Sequence, residues 1–480
     1  MYKNYVNGSW VDATDGRTYE VRNPADWRSV LHSYPLSTKE NLSDAIDGAA
    51  KAQQTWKLLT TGERAAIFRR LPDLIRNNID SLARIITDEN GKLLSESMVE
   101  INSAIMELDF QIGEGERQMG IASDCRKPGI TGFTRREPIG VVSCITPWNF
   151  PFNVPFRKLI PALMAGNTAV MKSAAQTSAV GEAVTQLFVV AGLPPGVLQY
   201  VSGSGSELSD TLVTHPAIRA VTFTGSTEVG RIIAKKAAET FTRTQLEMGG
   251  KNPMVVLGDC DMELAATDAA IAAFSCAGQW CTATSRLIVT EDIADDLITR
   301  LIEKTKALVL GAGTDVASTI GPVCAMNQVN EIMEHIEKAR VQGGNIILGG
   351  NRAEHGDLIH GCFIEPTIID DVDENMDISQ EEVFGPVLSI IRVKNYEEAL
   401  LCANKVTYGL SSSIYTRSLE KALHFVEHSE VGMSHVNVHS AYKEPQFSFG
   451  GVKESGFGLP EAGSTGIQFF QEEKAIYIKK

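Results

Sequence analysis

The chain has 480 residues, enough for roughly two to four domains at about 100–200 residues each. Hydrophobic residues make up 43% and charged residues 21%, the balance of a globular protein, which excludes a mostly disordered chain, a collagen-like fibre and a coiled coil. With 44 basic and 59 acidic side chains the formal charge is −15, so nucleic acid and anionic membranes are poor partners.

The first residues carry no apolar core of signal-peptide length, and no run approaches about 18 uninterrupted apolar residues, so a cytoplasmic chain with no membrane span is expected. Asn7-Gly8, between Tyr5-Val6 and Trp10-Val11, is a type I′ hairpin signal. Ser37 with Glu40 has capping-box spacing, and Leu42, Ala45, Ile46 and Ala49 follow at helical intervals. A second box, Thr60 with Glu63, precedes Ala66, Ile67, Leu71, Leu74 and Ile75. Asn90-Gly91 marks a helix end, and residues 95–111 are again periodic. These helices are expected to cover a sheet rather than form a bundle of their own.

From about residue 138, β-rich runs at 139–145, 168–172, 197–201, 220–223 and 244–247 alternate with helical runs at 155–165, 177–191, 207–214 and 227–238. That alternation predicts an α/β fold with a parallel, doubly wound sheet, which binds ligands at the carboxyl ends of its strands. A second α/β series follows, with strands at 253–257, 286–290, 364–369, 387–393, 411–415 and 433–438 and helices at 262–277 and 327–342. Residues 118–135 read as irregular and 468–480 as strand-like, and both are candidates for an extra sheet between subunits. No repeat, low-complexity segment or Pro/Ser linker separates the parts, so two domains in close contact are expected. The eight cysteines form no CxxC pair and the nine histidines are scattered, which points to reduced thiols and no metal.

Four segments can carry chemistry. In Gly278-Gln279-Trp280-Cys281 a cysteine sits at an element boundary, where nearby backbone N–H groups would favour its thiolate; a buried structural cysteine would look the same. In Leu246-Glu247-Met248-Gly249-Gly250-Lys251 a carboxylate leaves an apolar strand, where burial would raise its pKa and suit it to general-base work; it also reads as an ordinary loop glutamate. Asn149, within Thr146-Pro147-Trp148-Asn149-Phe150-Pro151, is either an oxyanion donor or a turn asparagine. Phe223-Thr224-Gly225-Ser226-Thr227-Glu228-Val229-Gly230 joins a strand to a helix, and its first N–H groups could face a pyrophosphate or simply close a tight turn.

Together these segments resemble the aldehyde dehydrogenase superfamily. The resemblance runs in order through YVNGSW, EPIGVVSCITPWNFP, TFTGSTEVG, LEMGGKNP, GQWCTATSR, EEVFGPV and FGGVKESGFG, nearly the whole chain. It implies a Rossmann-type cofactor domain (residues 1–117 and 136–246), an α/β catalytic domain (247–432) and a small β oligomerisation extension (118–135 and 433–480). It implies Cys281 as the nucleophile, Asn149 with the Cys281 N–H as oxyanion donors, and Glu247 as the base that activates the hydrolytic water. No metal is needed. Cofactor positions carried over are Ile145, Pro147 and Trp148 along the first loop, Lys172, Ser173 and Ala175 at the adenine ribose, Gly225, Ser226 and Gly230 at the phosphates, and Glu382 and Phe384 at the nicotinamide ribose and ring. Lys251 would be supportive only.

NAD-selective members carry Glu three residues after the lysine of KPxE, whereas this chain reads Lys172-Ser173-Ala174-Ala175. Loss of that carboxylate removes a repulsion toward a 2′-phosphate, so NADP or NAD is expected, with NADP favoured. Ser275, His435, Ser448 and Leu459-Pro460 also depart from the usual residues and are expected to alter tunnel shape. The wording is similar to bacterial enzymes acting on carboxylated semialdehydes, such as 2-oxoglutarate semialdehyde or succinate semialdehyde. Phe110, Gln111, Phe150, Trp280, His439 and Phe447 are expected at the pocket wall. Arg157 and Lys443 are either a cationic seat for the substrate's tail or surface salt bridges. A broad-specificity aliphatic or aromatic aldehyde dehydrogenase, a CoA-acylating enzyme and a catalytically silent relative are the alternatives. A homodimer or homotetramer is expected from the resemblance.

Overall fold

Asn7 and Gly8 both adopt positive φ, 52° and 88°, and close a hairpin between strands Asn4–Val6 and Ser9–Val11. In the computed structural model, which describes residues 2–479, this hairpin is one edge of an eight-stranded sheet. Inside it lie five parallel strands, in spatial order Leu198–Val201, Thr168–Lys172, Val141–Ile145, Ile218–Thr224 and Arg243–Glu247. Numbered along the chain this is order 3-2-1-4-5, the doubly wound arrangement, and it reverses between Val141–Ile145 and Ile218–Thr224. The strands are apolar on both faces because helices cover both. One core packs Val142, Cys144, Ala169 and Met171 under the N-terminal helices, and another packs Val141, Val170 and Val221 under Lys39–Trp56 and its neighbours. The helical first hundred residues therefore do cover a sheet.

The second sheet has seven strands, in order Asn345–Leu348, Thr367–Asp370, Val387–Val393, Thr284–Thr290, Asn252–Val256, Ser411–Tyr415 and Met433–Val436, all parallel except the first. The chain passes between the sheets through the four residues 248–251, joining the carboxyl end of Arg243–Glu247 to the amino end of Asn252–Val256. A third, three-stranded sheet pairs Gln471–Lys479 with Ile130–Pro138 in antiparallel register, from Gln471↔Pro138 to Lys479↔Ile130, and adds Ala122–Asp124.

Several local expectations shift. The first helix is capped by Thr38, whose hydroxyl accepts from the Asn41 N–H at 3.2 Å, one residue beyond the expected Ser37–Glu40 box. Ser37 is instead buried and bonded to Asn4 Nδ2 at 2.9 Å. The Thr60–Glu63 box forms, and Gly91, at φ 92°, ends helix Ile79–Asn90. Residues 118–135, expected irregular, contain strand Ala122–Asp124 and the start of Ile130–Pro138; a hairpin of Thr18–Asn23 and Asp26–Pro35 had no clear periodic signal. The segment 433–480 is divided among the sheets: Met433–Val436 edges the second, Gly456–Phe457 the first, and only Gln471–Lys479 belongs to the third. All eight cysteines are free. Among the described residues no helix is long and apolar enough to cross a membrane, and no cluster of His, Cys, Asp or Glu has the make-up of a metal site.

Candidate active site

The site lies where the two large sheets face each other. Helix Met262–Phe274 ends three residues before the expected 277, and the turn Ser275–Gly278 runs through three successive positive φ values, 50° at Cys276, 53° at Ala277 and 70° at Gly278. Two of these are non-glycine residues, a local strain that surrounding contacts must hold. Just beyond the turn, Asn252 Nδ2 donates to the Cys281 and Ala283 carbonyls, both at 2.8 Å. Gln279 holds the turn itself, giving Nε2 to the Cys276 carbonyl at 3.1 Å and accepting the Cys324 N–H at 2.8 Å. Cys281 is thereby fixed just ahead of strand Thr284–Thr290, its side chain partly accessible.

Asn149 arrives from the other sheet, on the loop after Val141–Ile145. Its Nδ2 donates to the Gln279 carbonyl at 3.0 Å, two residues before the nucleophile position. Glu247, the last residue of its strand, is buried, and its Oε2 has no hydrogen-bond partner. Beside it Lys158 Nζ bonds Glu461 Oε1, and also Thr222 Oγ1 at 3.0 Å. Burial first, then the Glu461 carboxylate, push the Glu247 carboxyl well above the usual range, against the pull of Lys158 and Arg157. The expected rise of its pKa is thus present.

For the cysteine the electrostatics run opposite to the sequence expectation. Burial pushes the Cys281 thiol up to about 12; Arg157 and Lys443 pull it down, while Glu382 and Glu247 raise it further. The resting group is a thiol, not a thiolate stabilised by the turn's N–H groups, because desolvation outweighs them.

Arg157 and Lys443 converge on one carboxylate. Arg157 is buried and bidentate to Glu107, at 2.9 and 3.0 Å, and stacks 4.4 Å over the Phe449 ring. Lys443 Nζ reaches the same Glu107 at 2.5 Å while keeping 30% of its side chain exposed. Burial alone would raise Glu107, yet the two cations hold it at about 2. The surface-bridge reading thus fails for Arg157, whose guanidinium is committed inside. Lys443, Glu107, Phe447 and Phe449 line a cavity of about 490 Å³. Phe150 and Trp280 meet edge to face, 5.9 Å between centroids, and His439 is half-buried two residues after Asn437. Gln111 is buried and donates to the Gly463 carbonyl at 3.0 Å, tying helix Leu94–Glu116 to Gly463–Gln468. Of the residues expected at the pocket wall only Phe447 lines the 490 Å³ tail cavity; Phe110, Gln111, Phe150, Trp280 and His439 do not.

A second cavity, of about 710 Å³, opens at the point where the strand order reverses. Ile145, Lys172, Ala175, Thr224 and Val229 line it, with Ser204, Ser206 and Lys236, and no carboxylate is among its lining residues. Burial draws Lys172 down to about 8. Ser173 turns away, its hydroxyl against Tyr200 at 3.1 Å. Gly225 gives its N–H to the Glu247 carbonyl at 3.1 Å, and Ser226 caps helix Thr227–Thr240. Gly230 serves packing, since a Cβ there would lie 2.3 Å from Met248 Sδ. Trp148 meets Phe384 edge to face at 5.4 Å, one residue beyond Pro147. Glu382 accepts the Gly250 N–H at 2.9 Å, and burial lifts it to about 7. Lys251, beside it, is drawn by burial and Arg286 to about 7. The cavity's shape, basic end and place at the switch point fit a dinucleotide.

Sequence reasoning missed Glu107, Lys158, Glu461, Lys92 and Glu100. A signal existed for some: Arg157-Lys158 interrupts a helix, Asn153–Met164, that is buried along its whole length. Cations there require buried carboxylate partners.

A family model described as the aldehyde dehydrogenase family matches residues 10–476. The chain is 38% identical to an alpha-ketoglutaric semialdehyde dehydrogenase of Bacillus subtilis, over 100% of this chain and 98% of the relative. It is 36% identical to an NADP(+) succinate-semialdehyde dehydrogenase of Escherichia coli, over 98% and 97%. The crystal structure of betaine aldehyde dehydrogenase from Staphylococcus aureus in complex with NAD+ superposes with a TM-score of 0.97 at 33% identity, covering 100% of this chain and 95% of that one.

Proposed function

The chain belongs to the aldehyde dehydrogenase family and is an NAD(P)-dependent enzyme, and we propose that it oxidises a carboxylated semialdehyde, of the 2-oxoglutarate or succinate semialdehyde kind, to the acid. The observation that carries this is the pairing of two cations, Arg157 and Lys443, with the single carboxylate Glu107, both cations lying close enough to the Cys281 thiol to draw its pKa down. Arg157 holds Glu107 from behind, and Lys443 is the cation left facing the tail cavity. A substrate carboxylate would take Lys443 from Glu107 and point its aldehyde at Cys281. The names of the relatives above agree with that class.

In this reading the Cys281 sulfur adds to the aldehyde carbon as Glu247 or water takes its proton. The oxyanion exchanges places with the Gln279 carbonyl as acceptor for Asn149 Nδ2. A nicotinamide dinucleotide, when bound, supplies the hydride acceptor; Lys172 and Ala175 would hold its ribose end, and Glu382 and Phe384 its nicotinamide end. Glu247 then draws a proton from the water that cleaves the thioester, and the neighbouring Glu461 carboxylate, held by Lys158, is the group placed to receive it. Retention of this base supports hydrolysis over CoA acylation.

Lys443→Met is expected to lower kcat/KM for a carboxylated semialdehyde by about 10–100-fold, the worth of one charge-assisted hydrogen bond. Oxidation of an uncharged aldehyde of equal length should fall far less, by only the small loss of Lys443's pull on the Cys281 thiol; equal losses on both would overturn the tail assignment.

The carboxylate-free lining around Ala175 supports a preference for NADP. Ala175→Glu should cut kcat/KM for NADP by roughly 10²-fold through like-charge repulsion and spare NAD. Parallel titrations with the two cofactors measure it, and a wild-type enzyme strongly selective for NAD would refute the preference. Strand Gln471–Lys479 pairs on one side only within the chain, and that open edge supports assembly with further copies.

A further inference from the structure

Residues 90–100, from the end of helix Ile79–Asn90 into the second turn of Leu94–Glu116, reach across to both halves of the reaction centre. Asn90 Nδ2 donates to the Trp148 carbonyl at 2.9 Å, and Lys92 Nζ donates to the Asn149 carbonyl at 2.7 Å. Glu100 Oε1 accepts the N–H groups of Phe152 at 2.8 Å and Asn153 at 3.0 Å. The helix that starts at Asn153 has no side-chain cap of its own, so Glu100 caps it from outside. Lys92 and Glu100 are bonded to each other at 2.7 Å, both fully buried, and Lys92 lies 4.2 Å over the Phe150 ring. On the nucleophile side, Glu96 Oε1 accepts the Cys276 N–H at 2.6 Å, within the strained turn that leads to Cys281.

We infer that residues 90–100 are a clamp that sets Asn149 against Cys281, with Lys92 and Glu100 as its positioning residues. The inference rests on the proposed role of Asn149 as oxyanion donor. A loop between two sheets has no ladder to fix it, and its carbonyls and N–H groups need partners of opposite character. A buried ion pair offers both from one place, which an apolar pair of the same volume does not. The clamp holds the backbone of Asn149 and leaves its amide free to exchange the Gln279 carbonyl for the developing oxyanion.

The test is a double-mutant cycle between Lys92 and Asn149, read in kcat and KM on the full-length enzyme. Lys92→Met is expected to lower kcat by roughly 10–100-fold, the cost of a misplaced donor, with KM for the cofactor unchanged. In the Asn149→Ala background the same change should cost little more, because the group being positioned is gone. Since Lys92→Met strands the Glu100 charge, Lys92→Met/Glu100→Gln is measured beside it, with folding followed by circular dichroism, and Lys92→Arg should restore part of kcat. A full additional loss in the Asn149→Ala background, or unchanged kcat in both Lys92 variants, overturns the clamp. Unchanged kcat in Asn149→Ala alone overturns the oxyanion role and the clamp with it, so the two failures are told apart.

Discussion

Cys281→Ala is expected to abolish aldehyde oxidation, with kcat falling by on the order of 10⁴-fold or more, the scale seen when a nucleophile is removed. Dinucleotide affinity should change little, because the large cavity at the sheet's switch point has no atom of Cys281 in its lining and the loss at the nicotinamide end is one sulfur. No other thiol can substitute. Cys276, five positions earlier, is buried, and its thiol is pushed well above the ordinary cysteine range by burial and then by Glu96. The Cys281 thiol itself sits at about 12, so acylation in the native enzyme should accelerate as pH rises toward that value, and this limb should vanish in the variant. Rapid-quench mass spectrometry of the native enzyme should find the substrate's acyl group on the peptide containing Cys281. A variant that still makes acid at a substantial fraction of the native rate would end the assignment.

How much of this was legible beforehand differs between elements for physical reasons. Strands Thr168–Lys172, Val387–Val393 and Ser411–Tyr415 are read to the residue, because short β-rich runs bounded by turn residues have few other ways to fold. Helix Met262–Phe274 is overrun by three residues, since Cys276 and Ala277 suit a helix locally and only contacts from Gln279 and Glu96 hold them at positive φ. The Ser37–Glu40 box lost to Thr38–Asn41 because Ser37 is claimed by Asn4, thirty-three residues away. Such long-range claims leave no periodic trace.

The site divides the same way. The residues proposed to touch reactants stand in recognisable strings, and Cys281, Asn149, Glu247 and Glu382 do come together across the two sheets. The residues that hold them, Lys92, Glu100, Glu107 and Glu461, come from a loop, one helix and a small strand far away in sequence, and each is one charge among many. Glu107 is a case in point. On its helix it reads as one more acidic residue of a polar face, and only folding shows that it balances Arg157 and Lys443 at once. Charge arithmetic on buried helices is therefore the more useful sequence clue.

Glu247→Gln is expected to slow hydrolysis of the acyl-enzyme by roughly 10²–10⁴-fold, the range for loss of a general base, while a first turnover still releases reduced cofactor. The signature is a burst of reduced cofactor followed by a slow steady state, with the acyl group persisting on Cys281. The pH dependence fixes the sign. Glu247 in the folded chain binds its proton more tightly than an exposed glutamate, because it is buried and faces the Glu461 carboxylate, and the base form grows as pH rises. Native hydrolysis should climb with pH through that raised pKa, and glutamine should flatten the climb. Stability moves the other way: because the folded state holds this proton and the unfolded chain has released it above about pH 4.3, the native protein loses stability as pH rises through the interval between the two pKa values. Glutamine cannot ionise, so the variant should lack that slope and melt no lower than the native enzyme at neutral pH. A variant that shows no burst, or one that hydrolyses its acyl-enzyme at the native rate, would remove Glu247 from the water-activating role and leave the Lys158–Glu461 pair as the group to test next.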